Sequence, residues 1–89
     1  RTPDGFDEQE FRAAVLAIEG VQGCHDVHAW SLDGERNVLS AHIVLARSLT
    51  DPAGAAARAK REVRAIAERF GRFHSTVEVE WADDGCADD

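Results

Sequence analysis

The chain has 89 residues, a formal charge of −7 and 44% hydrophobic residues. That length makes one domain with a thin core, since a domain this small buries only roughly 60% of its unfolded surface. The acidic balance excludes nucleic acid, which needs a basic stripe, and favours a cation as ligand. No apolar run is long enough for a membrane span or a signal peptide. Cys24 and Cys86 are too few and too dissimilar in context for a disulfide framework, so the chain reads as reduced and soluble. It contains no methionine, so Arg1 is not expected to be a translation start and the sequence reads as a piece of a longer protein.

Residues 1–6 read as a polar linker with one Pro and one Gly, and the domain is expected over 7–82. Asp7 with Glu10 three positions later resembles a capping box, and Phe11, Val15 and Ile18 recur at helical spacing until Gly20 stops the pattern. A first strand follows over Val21 to Leu32, Asp33-Gly34 signals a turn, and Val38 to Leu45 forms a second strand, giving a hairpin. Asp51-Pro52 opens a second helix, because Pro suits the first helical position and Asp complements the dipole. Its apolar face carries Val63, Ile66 and Phe70, Gly71 ends it, and the run from Arg58 to Arg64 forms its solvated face. Ser75 to Trp81 is a third strand, and residues 83–89 are expected to be an acidic flexible tail. The order predicts an α+β fold: a three-stranded sheet with two helices on one face.

Alternation decides which side chains share the uncovered face. In the second strand Leu39, Ala41, Ile43 and Leu45 form the core set, so Ser40 and His42 face the other way. In the third, Val77, Val79 and Trp81 point to the helices and leave Thr76, Glu78 and Glu80 on the open face. Val27 and Ala29 are the core positions of the first strand, so Asp26, His28 and Trp30 join that face. Pairing even with even puts His42 opposite His28, or opposite Asp26 with a shorter loop. The facing of His25 stays open, because a bulge where the strand begins would turn it.

Imidazoles and carboxylates converging on one surface are the donors zinc takes at neutral pH without a thiol. No compact His-x-x-x-His or Cys-x-x-Cys element brings ligands together locally, so such a site depends on tertiary packing. Trp30 on an open face reads as an interface anchor, Cys24 as a small buried hydrophobe and Cys86 as a bystander. An enzyme is disfavoured: the sheet face is open, and neither a glycine-rich phosphate loop nor a nucleophile elbow is present. A free-standing metallochaperone would display a Cys-x-x-Cys loop, which is missing.

Gly20-Val21, then His25-Asp26-Val27-His28-Ala29-Trp30-Ser31, Leu39-Ser40-Ala41-His42 and His74-Ser75-Thr76-Val77-Glu78-Val79-Glu80 stand in this order. The pattern resembles the cytoplasmic C-terminal domain of cation diffusion facilitators, the zinc/cobalt/cadmium exporters of the CzcD type. That family's signature reads His-Asp-Leu-His-Val-Trp-Ser, Leu-Ser-Ala-His and His-Ser-Thr-Ile-Gln-Val-Glu. Ala29 departs from the usual valine, and Glu78 stands where many members have glutamine or histidine. The resemblance implies an αββαβ, metallochaperone-like (ferredoxin-like) arrangement. It implies metal ligands at His25, His42, His74 and Glu80, with His28, Asp26 and Glu78 as neighbouring candidates. The bound ion would be Zn2+ or a related Co2+, Cd2+ or Ni2+. The implied function is a regulatory domain on the cytoplasmic side of the inner membrane, which binds the metal and tightens a homodimer of an antiporter exchanging divalent cation for protons. Contact with the membrane would run through absent transmembrane helices.

Overall fold

The structure, a computed structural model, describes residues 2–33, 36–47 and 50–82. The elements run α1 (Glu8–Leu16), β1 (Val21–Ser31), β2 (Asn37–Leu45), α2 (Pro52–Glu68) and β3 (Phe73–Trp81). This is the αββαβ order expected from the sequence. Gly34 of the expected turn and the tail 83–89 lie outside the described residues.

α1 starts where its cap dictates. The Asp7 carboxylate accepts the Glu10 N–H at 3.1 Å, and Glu8 and Glu10 place negative charge on the first turn. The helix stops at Leu16, short of the Gly20 boundary that the apolar spacing indicated. Ile18 still reaches the core, but from a tighter turn in which its N–H donates to the Val15 carbonyl at 3.0 Å. Gly20, with φ 89°, then redirects the chain into β1, a conformation glycine adopts without steric cost.

β2 is the central strand, antiparallel to β1 and parallel to β3. Parallel neighbours need a crossover, and α2 supplies it. The Asp51 carboxylate accepts the Gly54 N–H at 3.1 Å with Pro52 at the first helical position, so α2 begins as its sequence requires. It buries Ala59, Val63, Ile66 and Ala67, while Arg58, Arg61 and Arg64 are exposed. β3 begins at Phe73, two residues earlier than expected, because Phe73 and His74 still find partners in Asn37 and Val38.

One apolar cluster joins the layers. Leu39, Ala41, Ile43, Leu45 and Val77 from the sheet are buried with Phe11, Val15, Val63 and Ile66 from the helices, and no polar side chain is buried with them among the described residues. The segment expected to be a linker contributes to this packing. Pro3 is buried, and the Phe6 ring lies 5.6 Å from Phe11, 5.6 Å from Phe70 and 5.7 Å from Phe73, in tilted or edge-on contacts that aromatic quadrupoles favour. No described helix is long and apolar enough to cross a membrane.

Ile43, fully buried on the central strand, is expected to be a point of high cost. Urea unfolding of Ile43→Ala should show a loss of about 2–5 kcal/mol, whereas exposed Leu32→Ala should stay within about 0.5 kcal/mol of the parent.

Candidate metal centre

The two helices cover one face of the sheet, and Ser40, His42, Thr76, Glu78 and Glu80 of β2 and β3 occupy the other, as alternation requires. β1 departs from simple alternation. Cys24 is buried and so is Val27, three residues later, which strict period two forbids. The pairing shows why: His25 is opposite His42 and His28 opposite Ser40, so three steps along β1 match two along β2. One extra residue is accommodated between them, and Asp26 takes the left-handed conformation there, with φ 55°. His25 and His28 thereby share the open face. The expected pairing of His42 with His28 or Asp26 is corrected to His25, because the bulge shifts the register by one residue.

The open face is built in rows across the strands. Trp30, Val38 and His74 form one; His28, Ser40 and Thr76 the next; His25, His42 and Glu78 the third; and Glu80 stands beside Val44 beyond them. His42, on the central strand, is flanked by candidate donors from both neighbours. Its Nδ1 lies 3.0 Å from Glu80 Oε1 and 3.6 Å from Asp26 Oδ2, and its Nε2 is hydrogen-bonded to Glu78 Oε1. His25 directs Nδ1 to Asp26 Oδ2 at 3.3 Å and Nε2 to Glu80 Oε2 at 3.8 Å. The two imidazoles meet edge to face, with centroids 5.3 Å apart.

Three of these residues, His25, Asp26 and His42, can each turn one donor atom to within 4.8 Å of the others. Donors about 2.1 Å from a common tetrahedral zinc ion stand about 3.4 Å apart, so side-chain rotation that closes the widest spacing by roughly 1.4 Å would bring these donors onto one ion. His42 Nδ1 is cut off from solvent and, despite the nearby carboxylates, makes no hydrogen bond of acceptable geometry. A buried ring nitrogen without a partner costs free energy, and an ion among these carboxylates would satisfy it.

The other candidates differ in their distance from the cluster. His28 is exposed one row from His42 and lines one depression together with His42, Asp26 and Glu78. His74 lies at the far end of the face, four residues from Glu78 along β3 and so roughly 13 Å away, at a cleft with Leu32, Arg36, Arg72 and Phe73. Trp30 is 55% exposed, and Leu32, which sequence patterning did not single out, is 57% exposed. Cys24 faces the core, where burial pushes its thiol pKa up against the smaller opposing effect of Arg12. It therefore offers no thiolate to the cluster.

The family profile described as the cytoplasmic domain of cation efflux proteins, one named for a dimer, matches residues 3–82. The zinc transporter ttm-1 of Caenorhabditis elegans is 34% identical over 79 residues, covering 89% of this chain and 18% of that protein. The cadmium, cobalt and zinc/H(+)-K(+) antiporter of Bacillus subtilis is 30% identical over 79 residues, covering 89% of this chain and 25% of that protein. The chain thus spans a quarter or less of the length of these curated relatives, which are transporters. Among solved structures, the metal-bound C-terminal domain of the CzcD transporter from Cupriavidus metallidurans superimposes with a TM-score of 0.68 at 26% identity, over 84% of this chain and 99% of that one. The zinc form of the transporter CzrB gives 0.66 at 26% identity, over 93% and 97%. By the profile match across nearly its whole length, the chain belongs to the family of cytoplasmic domains of cation efflux proteins.

Proposed function

We propose that this domain is the regulatory, metal-responsive module of a divalent-cation efflux transporter. It binds a zinc-type cation on its open sheet face and tightens a homodimer in doing so. The observation that carries the reading is the convergence of His25, Asp26, Glu78 and Glu80 on His42, whose Nδ1 is buried without a hydrogen bond. Two imidazoles with carboxylates suit Zn2+, Co2+ or Ni2+, and Cd2+ less well without a thiolate. The metal-bound state of the CzcD domain and the zinc form of CzrB support the same reading.

A homodimer follows from the uncovered face. Trp30 and Leu32 are large, exposed and at one end of it, while the ligand cluster holds the other end. Neutralising that cluster with a cation removes the mutual repulsion two copies of an acidic face would feel. His74 shares the face but lies at its far end, and would approach the second protomer rather than the first ion. The membrane-embedded part of the parent protein would carry the transport step, exchanging divalent cation for protons on the cytoplasmic side of the inner membrane. Nothing in the open cluster requires a reaction of its own.

Calorimetric titration with zinc should separate the ligands. His42→Ala is expected to lose about 100-fold or more in affinity while keeping its fold, since its ring lies outside the core; His74→Ala should lose less than about 10-fold. Equal losses at both positions would contradict the division of the face into two ends.

Acid should weaken binding. A ligating imidazole must be neutral, and imidazole ordinarily titrates near about 6.5, so affinity should fall as pH drops from about 7 to 5. Titrations in buffers of different ionisation heat should report protons released on binding, more of them toward acid, and a value near zero would exclude histidine ligands.

Sedimentation with and without zinc tests the dimer. Zinc should lower the dimer dissociation constant at least about tenfold, and Trp30→Ala should raise it. A monomer near millimolar concentration under both conditions would defeat the assembly half of the reading.

A further inference from the structure

We propose that Asp26 is the positioning residue of this site. Its left-handed backbone builds the bulge that turns His25 out to the carboxylates and Cys24 into the core, and its carboxylate orients the His25 ring. The proposal rests on the metal-binding reading above for its purpose, but its structural content stands on the strand pairing alone.

β1 breaks register twice, between Val21 and Gly23 and between His25 and His28, so Gly23, Cys24 and His25 form an island whose facing is inverted relative to the rest of the strand. Outside it, Val21, Val27 and Ala29 lie toward the helices. Were β1 regular, the phase set by Val27 and Ala29 would turn His25 into the apolar layer and Cys24 to solvent. The alternative repair, inverting Val27 to Ser31 instead, would expose Val27 and bury His28 and Trp30. Losing the bulge should therefore move the short island.

Asp26 is the one non-glycine residue with positive φ among those described. Aspartate tolerates this region better than most residues, and a β-branched side chain resists it strongly. The Asp26 side chain, 64% exposed, gives up no core contact by standing there. Its Oδ2 lies 3.3 Å from His25 Nδ1 and 3.6 Å from His42 Nδ1, so the carboxylate stands between the two imidazoles and holds the His25 ring with Nε2 directed to Glu80 Oε2, 3.8 Å away. Backbone and side chain thus act on the same imidazole.

The inverted island makes Cys24 a reporter that needs no metal. In a Cys86→Ser background, where Cys24 is the sole thiol, Asp26→Gly, Asp26→Asn and Asp26→Val would each be measured for Cys24 reactivity with Ellman's reagent in metal-free protein and for zinc affinity. Gly and Asn, which accept the left-handed conformation, should leave Cys24 as protected as in the parent. Asn should bind zinc within about 10-fold of the parent and Gly about 10- to 100-fold more weakly. Val should react at least about tenfold faster and bind at least about tenfold more weakly than Gly. A folded Val variant with Cys24 fully protected would overturn the proposal, and so would Gly and Val losing affinity equally with Cys24 protected, since Asp26 would then be an ordinary ligand. Should circular dichroism show the Val variant unfolded, Gly decides: an exposed Cys24 in that variant overturns the bulge assignment, and a protected one with partial affinity supports it. A parent that binds no zinc would refute the functional reading while leaving the thiol measurement to judge the bulge.

Discussion

Both helices pack on the same face of the three-stranded sheet, and the candidate site follows from that arrangement. The covered face collects the apolar residues of β2 and β3 at odd positions, together with Phe11, Val15, Val63 and Ile66. The uncovered face is then left to the other set, in which imidazoles and carboxylates stand among Trp30, Val38, Ser40, Val44 and Thr76. A polar open face on a mixed sheet is ordinary. The concentration of potential metal donors at one end of it is not, and it sits where the central strand brings its two neighbours together.

His42 owes its place at the hub to that central position. An edge-strand histidine has neighbours on one side only, whereas His42 meets His25 and Asp26 across an antiparallel pairing and Glu78 across a parallel one. The parallel register also carries Glu80 past the end of that row, close enough for its carboxylate to reach back to both imidazoles. Donors from residues 25 to 80 are assembled by strand pairing, so the site exists only while the sheet is intact. Binding of a metal there would be coupled to folding for that reason, and coupling of this kind matters most in a domain whose core is thin.

Charge is distributed to match. Six of the ten basic residues lie between Arg58 and Arg72, four of them on α2, while Arg72 joins Arg36 in the cleft beside His74, at the end of the sheet away from the cluster. The open face is left acidic around its imidazoles, so a divalent cation is attracted to the place where donors already converge. The same distribution would oppose self-association through that face until the charge is compensated. On the proposed reading, a cation would be both the ligand and the condition for pairing, and the domain would report metal through assembly.

Much of this was legible in the chain. Asp7 and Asp51-Pro52 announce the two helices through local hydrogen bonds, and the alternation of Leu39 to Leu45 and Val77 to Trp81 assigns faces to His42, Glu78 and Glu80. These depend on a residue and its near neighbours, which sequence records directly. The packing of Phe6 against Phe11, Phe70 and Phe73 was hidden, since its partners lie far along the chain. So were the inverted island at Gly23 to His25 and the distance of His74 from the other histidines. A one-residue excess in β1 has meaning only against the strand it pairs with, and His74 is remote only because parallel pairing aligns it with Val38. Residue types and local periodicity determined which donors this protein has and which face most of them occupy. Register across strands is set by long-range packing, and it alone decided which of those donors meet.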